Sequence, residues 1–126
     1  MVRVINTDQA PGAVGAYSQA TTDEDLVFTA GQIPATPDGE IKADSPVREQ
    51  TERALDNLLA VLDAEELDTE DILKTTIFLD DIDDFEEMNE AYSDYFDTKP
   101  PARSALEVGN LPKGVSVEVE AITSNK

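Results

Sequence analysis

Two consecutive prolines, Pro100 and Pro101, constrain this chain more than any other pair of residues. Proline lacks the amide hydrogen that a helix interior needs, and it pushes the residue before it toward extended backbone. A helix arriving from upstream must stop there, and residues 100–108, PPARSALEV, enter a strand. A lone arginine, Arg103, then stands at the strand mouth. After a turn-rich GNLPKG connection, residues 116–122 (SVEVEAI) alternate and read as a half-buried strand. The two strands are expected to form a hairpin. In the second, Val115, Val117, Val119 and Ala121 share one face, while Ser116, Glu118, Glu120 and Ile122 share the other. In the first, Ala102, Ser104, Leu106 and Val108 make the apolar face, opposite Arg103, Ala105 and Glu107. Joining the apolar faces puts Arg103 on the side of Glu118 and Glu120, since a slip of one residue would invert a whole strand.

The rest of the chain reads as support for this pair. Residues 2–5 (VRVI) are a first strand, and residues 7–15 a turn-rich stretch with Pro11 and two glycines. Residues 16–21 (AYSQAT) follow as a second strand, with Tyr17 a rim tyrosine. Residues 26–31 (LVFTAG) form a buried strand ending at Gly31, where a missing Cβ lets backbone approach a ligand. Past a polar loop, Ser45 is the expected N-cap and Pro46 the first residue of a helix running to about residue 64. Its stripe is Val47, Ala54, Leu55, Leu58, Leu59, Val61 and Leu62. Thr69 is expected to cap a brief turn before residues 72–79 (ILKTTIFL), a β-branched central strand. Asp83 and Glu86 have capping-box spacing and open a second helix whose stripe is Phe85, Met88, Tyr92, Tyr95 and Phe96. Asn89 falls inside that apolar sector, so its amide needs partners, and tying down a neighbouring backbone is the favoured role.

The order βββαβαββ implies an α+β fold, a mixed sheet with two helices on one face and a single domain over residues 1–126. Two helices cannot cover both faces, so self-association is expected. With 28 acidic against 9 basic residues the formal charge is −19, which repels nucleic-acid phosphates and anionic lipid. The acids spread along the chain as a solvated coat, and the expected setting is a salt-adapted cytoplasm such as that of a halophile. The chain has no cysteine and no histidine, which excludes Ser-His-Asp and Cys-His catalysis and the usual zinc sites. No ordered ligand loop for Mg²⁺ or Ca²⁺ is visible, and no stretch has the form of a signal or transmembrane segment. A soluble cytoplasmic protein is the expectation.

GAYSQA near the start, FTAGQIP after the third strand, the NEAYSDYF helix, PPARSALEV and LPKGVSVEVEAI together resemble the RidA/YjgF/YER057c/UK114 family of enamine and imine deaminases. The resemblance covers almost the whole chain. It implies a chorismate-mutase-like (YjgF/L-PSP-like) fold, a homotrimer with clefts between subunits, and no cofactor or metal. Position by position, Tyr17 resembles the family's site tyrosine, Gly31 the glycine beside the ligand, Asn89 the helix asparagine, Arg103 the carboxylate-binding arginine and Glu118 the site glutamate. Three departures stand out. Ala30 stands where many deaminating members have serine, Ala16 where proline is frequent, and Ala105 where some have cysteine, leaving Ala105 its backbone groups to offer.

The resemblance implies 2-iminobutanoate and 2-iminopropanoate as substrates, each with a carboxylate beside a C=N bond. A planar guanidinium grips such a carboxylate through two parallel hydrogen bonds, which suits Arg103 better than lysine. Glu118 is expected to accept a proton from attacking water and Tyr17 to close the cleft. An alternative from another class is a module that binds 2-keto or 2-imino acids without turnover, to which the missing Ala30 hydroxyl points. Endoribonuclease or translation-inhibitor activity, attached to some relatives, is opposed by the −19 charge.

Overall fold

The structure, a computed structural model, describes residues 1–125. Six strands, β1 (Arg3–Ile5), β2 (Ala20–Thr22), β3 (Leu26–Thr29), β4 (Ile72–Leu79), β5 (Ala102–Glu107) and β6 (Val117–Ser124), form one sheet in the order β1-β2-β3-β6-β4-β5. Helix α1 (Val47–Asp63) lies between β3 and β4, and α2 (Phe85–Ser93) between β4 and β5. This is the expected βββαβαββ order in a mixed α+β sheet.

The expected hairpin does not form. Strand β4 lies between β5 and β6, antiparallel to β6 and parallel to β5. A parallel pair needs a crossover, and α2 supplies it. Because β5 docks on β4, the register also reverses the expected face assignment. Thr75 is opposite both Arg103 and Ala121, so Arg103 shares the helix-covered face with Val119 and Ala121. Glu118 and Glu120 lie opposite Phe78 and Thr76 on the other face. Side-chain alternation within each strand was read correctly; only the pairing partner was not.

Helix α1 buries Ala54, Leu55, Leu58, Val61 and Leu62 against the sheet, and α2 adds Met88 and Tyr92; α2 stops at Ser93, short of the expected Tyr95 and Phe96, and Phe96 packs on the core from the segment beyond it. Leu58 is fully covered, and burial of such a side chain stabilises the fold by about 2 kcal/mol. The helix starts differ from the reading. Pro46, with ψ 152°, precedes α1 in extended backbone and no side chain caps it; the Arg48 amide instead donates to Glu87 Oε2 at 3.0 Å, from α2. Asp81, not Asp83, accepts from a backbone amide, opening a 3₁₀ turn over Ile82–Asp84 ahead of α2. Asp68, not Thr69, caps the 3₁₀ turn at Thr69–Asp71. In such acid-rich stretches several carboxylates compete for each free amide, and loop geometry chooses among them.

Three buried amides fix the loops. Gln19 accepts from the Thr7 amide at 2.7 Å and donates to the Thr7 and Pro11 carbonyls. Gln50 accepts from the Ser116 amide at 2.9 Å and donates to the Ser45 carbonyl at 2.8 Å. Asn57 donates to the carbonyls of Ile33 and Ala35 at 3.0 and 2.8 Å, while its oxygen accepts from Arg53. The sheet face away from the helices carries Phe28, Phe78, Leu106 and Ile122 beside Glu118 and Glu120. Phe28 and Leu106 are exposed there.

Candidate active site

Arg103 sits on β5, an end strand of the sheet, with its side chain reaching over α2. Its Nη1 donates to Asn89 Oδ1 at 2.7 Å. The guanidinium carbon lies 4.7 Å from the Tyr92 ring centroid and 5.4 Å from that of Phe85. These three partners come from one helical stripe, since positions 85, 89 and 92 stack on one side of α2. The favoured role of Asn89 was to tie backbone; it instead holds a guanidinium. Among the described residues Arg103 has no carboxylate partner, whereas Arg3 pairs with Glu24 and Glu65, and Arg48 with Glu52, Glu90 and Asp94. Arg53, which donates to Asn57 Oδ1 at 2.8 Å, likewise has no ion pair among the described residues; Arg103 is held by a neutral amide and two rings. A depression of about 370 Å³ opens beside it, between Asn89, Ser93 and Pro100–Pro101. A hollow of about 460 Å³ between Thr69 and Lys99 shares only Phe96 with it and contains none of Tyr17, Gly31, Asn89, Arg103, Ala105 and Glu118.

Glu118 and Gly31 form a second cluster on the open face. Gln32 and Val119 exchange backbone hydrogen bonds at 2.7 and 3.0 Å, which clamps the segment after β3 onto β6. Gly31 is thereby pressed against Glu118: a Cβ there would lie 2.0 Å from Oε2 and 2.7 Å from Cδ. Asn57 holds the next turn of this segment from below. The Glu118 carboxylate is half-buried and has no hydrogen-bond or ion-pair partner among the described residues. Burial, and then the charge of Glu120, push its pKa above the ordinary glutamate value.

Tyr17 is not on a strand. It lies in the loop before β2, exposed, and its phenol oxygen accepts from the Val14 amide at 3.3 Å. That loop abuts the Gly31 segment, since the Gln19 carbonyl accepts from the Ala30 amide at 2.8 Å. The Ala105 side chain packs on the core. The Val108 amide donates to the Leu79 carbonyl at 2.8 Å, so alternation along β5 turns the backbone groups of Arg103, Ala105 and Glu107 to the strand's outer edge.

The structure thus brings Arg103, Asn89 and Ala105 together, and separately Gly31 and Glu118 with the Tyr17 loop nearby. It does not bring the two groups together. Arg103 and Glu118 are on opposite faces, two strands and three residues apart, roughly 14 Å by ordinary sheet spacings. Phe85 and Tyr92 were taken for core alone. The signal that could have assigned them was an amide lodged between two aromatics on one stripe, a place where only a polar partner could satisfy it.

A mixed sheet in this strand order, with both helices on one face, is the α+β fold of the YjgF/L-PSP type. The chain belongs to the RidA/YjgF family, its residues 7–124 matching the profile described as endoribonuclease L-PSP. A RutC family protein of Pyrococcus abyssi is 47% identical over 121 residues, covering 94% of each chain. The Escherichia coli protein named "Putative reactive intermediate deaminase TdcF" is 44% identical over 126 residues, covering 97% of this chain and 96% of its own. A crystal structure of E. coli TdcF with bound serine superposes with a TM-score of 0.93 at 41% identity, covering 98% of this chain and 99% of that one. No helix among the described residues is long and apolar enough to cross a membrane.

Proposed function

We propose that this chain is an enamine/imine deaminase that hydrolyses 2-iminobutanoate and 2-iminopropanoate to 2-keto acids and ammonia, at sites shared between neighbouring copies of a homotrimer. The observation that carries the reading is Arg103, a half-buried cation on an end strand, held by Asn89 and two rings and left without a carboxylate in a chain crowded with them. The name of TdcF, and the serine in its crystal, support a small amino-acid-like ligand. Because Arg103 and Glu118 face opposite ways in one chain, a site that uses both takes Arg103, Asn89 and Ala105 from one copy and Glu118, Gly31 and Tyr17 from the next. The half-covered sheet face with Phe28, Phe78 and Leu106 is the surface that would bring copies together.

In this reading the substrate carboxylate takes the free donors of Arg103 and the outward Ala105 amide, which fixes the C=N carbon. Glu118 accepts a proton as water attacks that carbon, giving a neutral carbinolamine. It returns the proton to nitrogen and takes the hydroxyl proton as the C–N bond breaks, releasing keto acid and ammonia. The protonated imine is already electrophilic, so these residues suffice.

The test couples a threonine dehydratase to the protein in molar KCl and follows 2-ketobutanoate against semicarbazide as a competing trap. Faster keto-acid formation by wild type but not by Arg103→Ala is the expected result. Saturable binding of 2-ketobutanoate without any acceleration would replace the enzyme with a binding module, for which Ala30 is the residue to examine first.

A further inference from the structure

Tyr92 is almost fully covered, and its hydroxyl lies 2.7 Å from Thr75 Oγ1 in the interior. Thr75 is itself fully buried, on β4, directly opposite Arg103 in the parallel register. The sheet therefore fixes Thr75 and Arg103 relative to each other, the hydroxyl pair fixes the Tyr92 ring relative to Thr75, and the ring lies 4.7 Å from the guanidinium carbon. Asn89, on the same side of α2, holds Nη1 at 2.7 Å. The loop of contacts closes on Arg103 from strand, helix and side chain together.

We infer that Tyr92, anchored through its hydroxyl to Thr75, is a positioning residue that sets the plane of the Arg103 guanidinium and with it the grip on a carboxylate. The inference rests on the carboxylate-binding role given to Arg103 above. An arginine side chain free to turn must lose that freedom each time a ligand binds; one stacked on a fixed ring and pinned by an amide has lost it beforehand. Burial raises the Tyr92 pKa, so the phenol stays neutral, and its hydroxyl is engaged with Thr75 while its ring faces Arg103. A packing role alone is the competing account, since Tyr92 also stacks on Phe96 with ring centroids 4.5 Å apart. Packing survives Tyr92→Phe, which removes only the hydroxyl, and that variant separates the two accounts.

The experiment measures 2-ketobutanoate affinity by calorimetry, and the Arg103 Nε–H resonance by NMR, for wild type, Tyr92→Phe, Thr75→Val, the double variant and Arg103→Ala. The expected wild-type resonance is displaced by the Tyr92 ring current, and each single substitution moves it back. Each single weakens binding about three- to tenfold and the double no further, because both remove the same bond. KM rises with kcat little changed. Binding within twofold of wild type together with an unmoved resonance would overturn the inference, as would losses in the double variant that multiply. If even wild type fails to bind 2-ketobutanoate, the carboxylate reading falls. The resonance then decides alone: its movement in Tyr92→Phe upholds the positioning of Arg103, and its persistence refutes it.

Discussion

The Glu118 carboxylate occupies the space that a side chain on Gly31 would fill, with Oε2 2.0 Å from where a Cβ would stand. Gly31 is therefore glycine for its neighbour's sake and not for its own backbone, which has no left-handed φ. The atom in the way is the tip of a flexible side chain on a half-open face. It can swing aside with little damage to the fold, and the damage falls on whatever Glu118 does.

Gly31→Ala is accordingly expected to cost under about 1 kcal/mol of stability while lowering kcat/KM at least about tenfold. Chemical denaturation and the coupled dehydratase assay, run on one preparation, check both. Equal loss of stability and activity would mean the glycine serves packing only.

A site divided between copies predicts complementation. Neither Arg103→Ala nor Glu118→Gln should turn over imine as a pure oligomer. Subunits of the two refolded together restore up to about a quarter of wild-type activity, since one interface in four then joins an intact Arg103 to an intact Glu118. Arg103→Lys in place of alanine keeps the charge but not the planar fork and should remain far below wild type.

Glu118 also predicts a pH dependence. Its folded-state pKa is raised, so the folded chain binds the proton more tightly than the unfolded one. Stability from this group declines as pH rises from the ordinary glutamate value, about 4.3, through the raised one. Glu118→Gln should therefore raise Tm at pH 7 relative to wild type, with the gain vanishing below about pH 4. The wild-type kcat/KM should rise across the same window as the base ionises. A Tm difference that instead grew toward acid pH would reverse the assignment.

Asn57 is the stability counterpart. It is fully buried and satisfies the Ile33 and Ala35 carbonyls at once. Asn57→Ala strands the Ala35 carbonyl and leaves that of Ile33 with the Ala35 amide alone, and is expected to cost about 2 kcal/mol. Because those carbonyls belong to the segment that carries Gly31, residual activity should fall further than the folded fraction. Urea titration followed by activity at matched folded fraction tests this.

Much of this molecule is written locally. The alternation of SVEVEAI placed Glu118 and Glu120 on one face and Val117, Val119 and Ala121 on the other, as found, and ILKTTIFL marked β4 to the residue. Arg103, Asn89, Glu118 and Gly31 were each singled out from local pattern or motif. What the chain did not disclose was pairing. Adjacent strands in sequence favour a hairpin by their short loop, and nothing within 102–122 reports that β4, more than twenty residues upstream, inserts between them. Arg103 was assigned the wrong face for that reason alone. Its alternation was right, but a serine and an alanine on the outer side look no different from core when the partner is unknown. Caps failed similarly, since Asp81 and Asp83 are equal as residues and differ only in the loop geometry around them.

Strand β6 lies between β3 and β4 although it follows every other element in the chain. A ribosome therefore releases β1, β2, β3, both helices, β4 and β5 before the strand that joins them exists. Until then the nascent chain is two unfinished pieces, a three-stranded fragment and a β4–α2–β5 unit, each with an unpaired edge that invites the wrong neighbour. The distant pairings make assembly slow compared with a locally wired fold. They also make it all or nothing: the strand that closes the sheet is the one that bears Glu118, so no partly built chain can carry the proposed site in full.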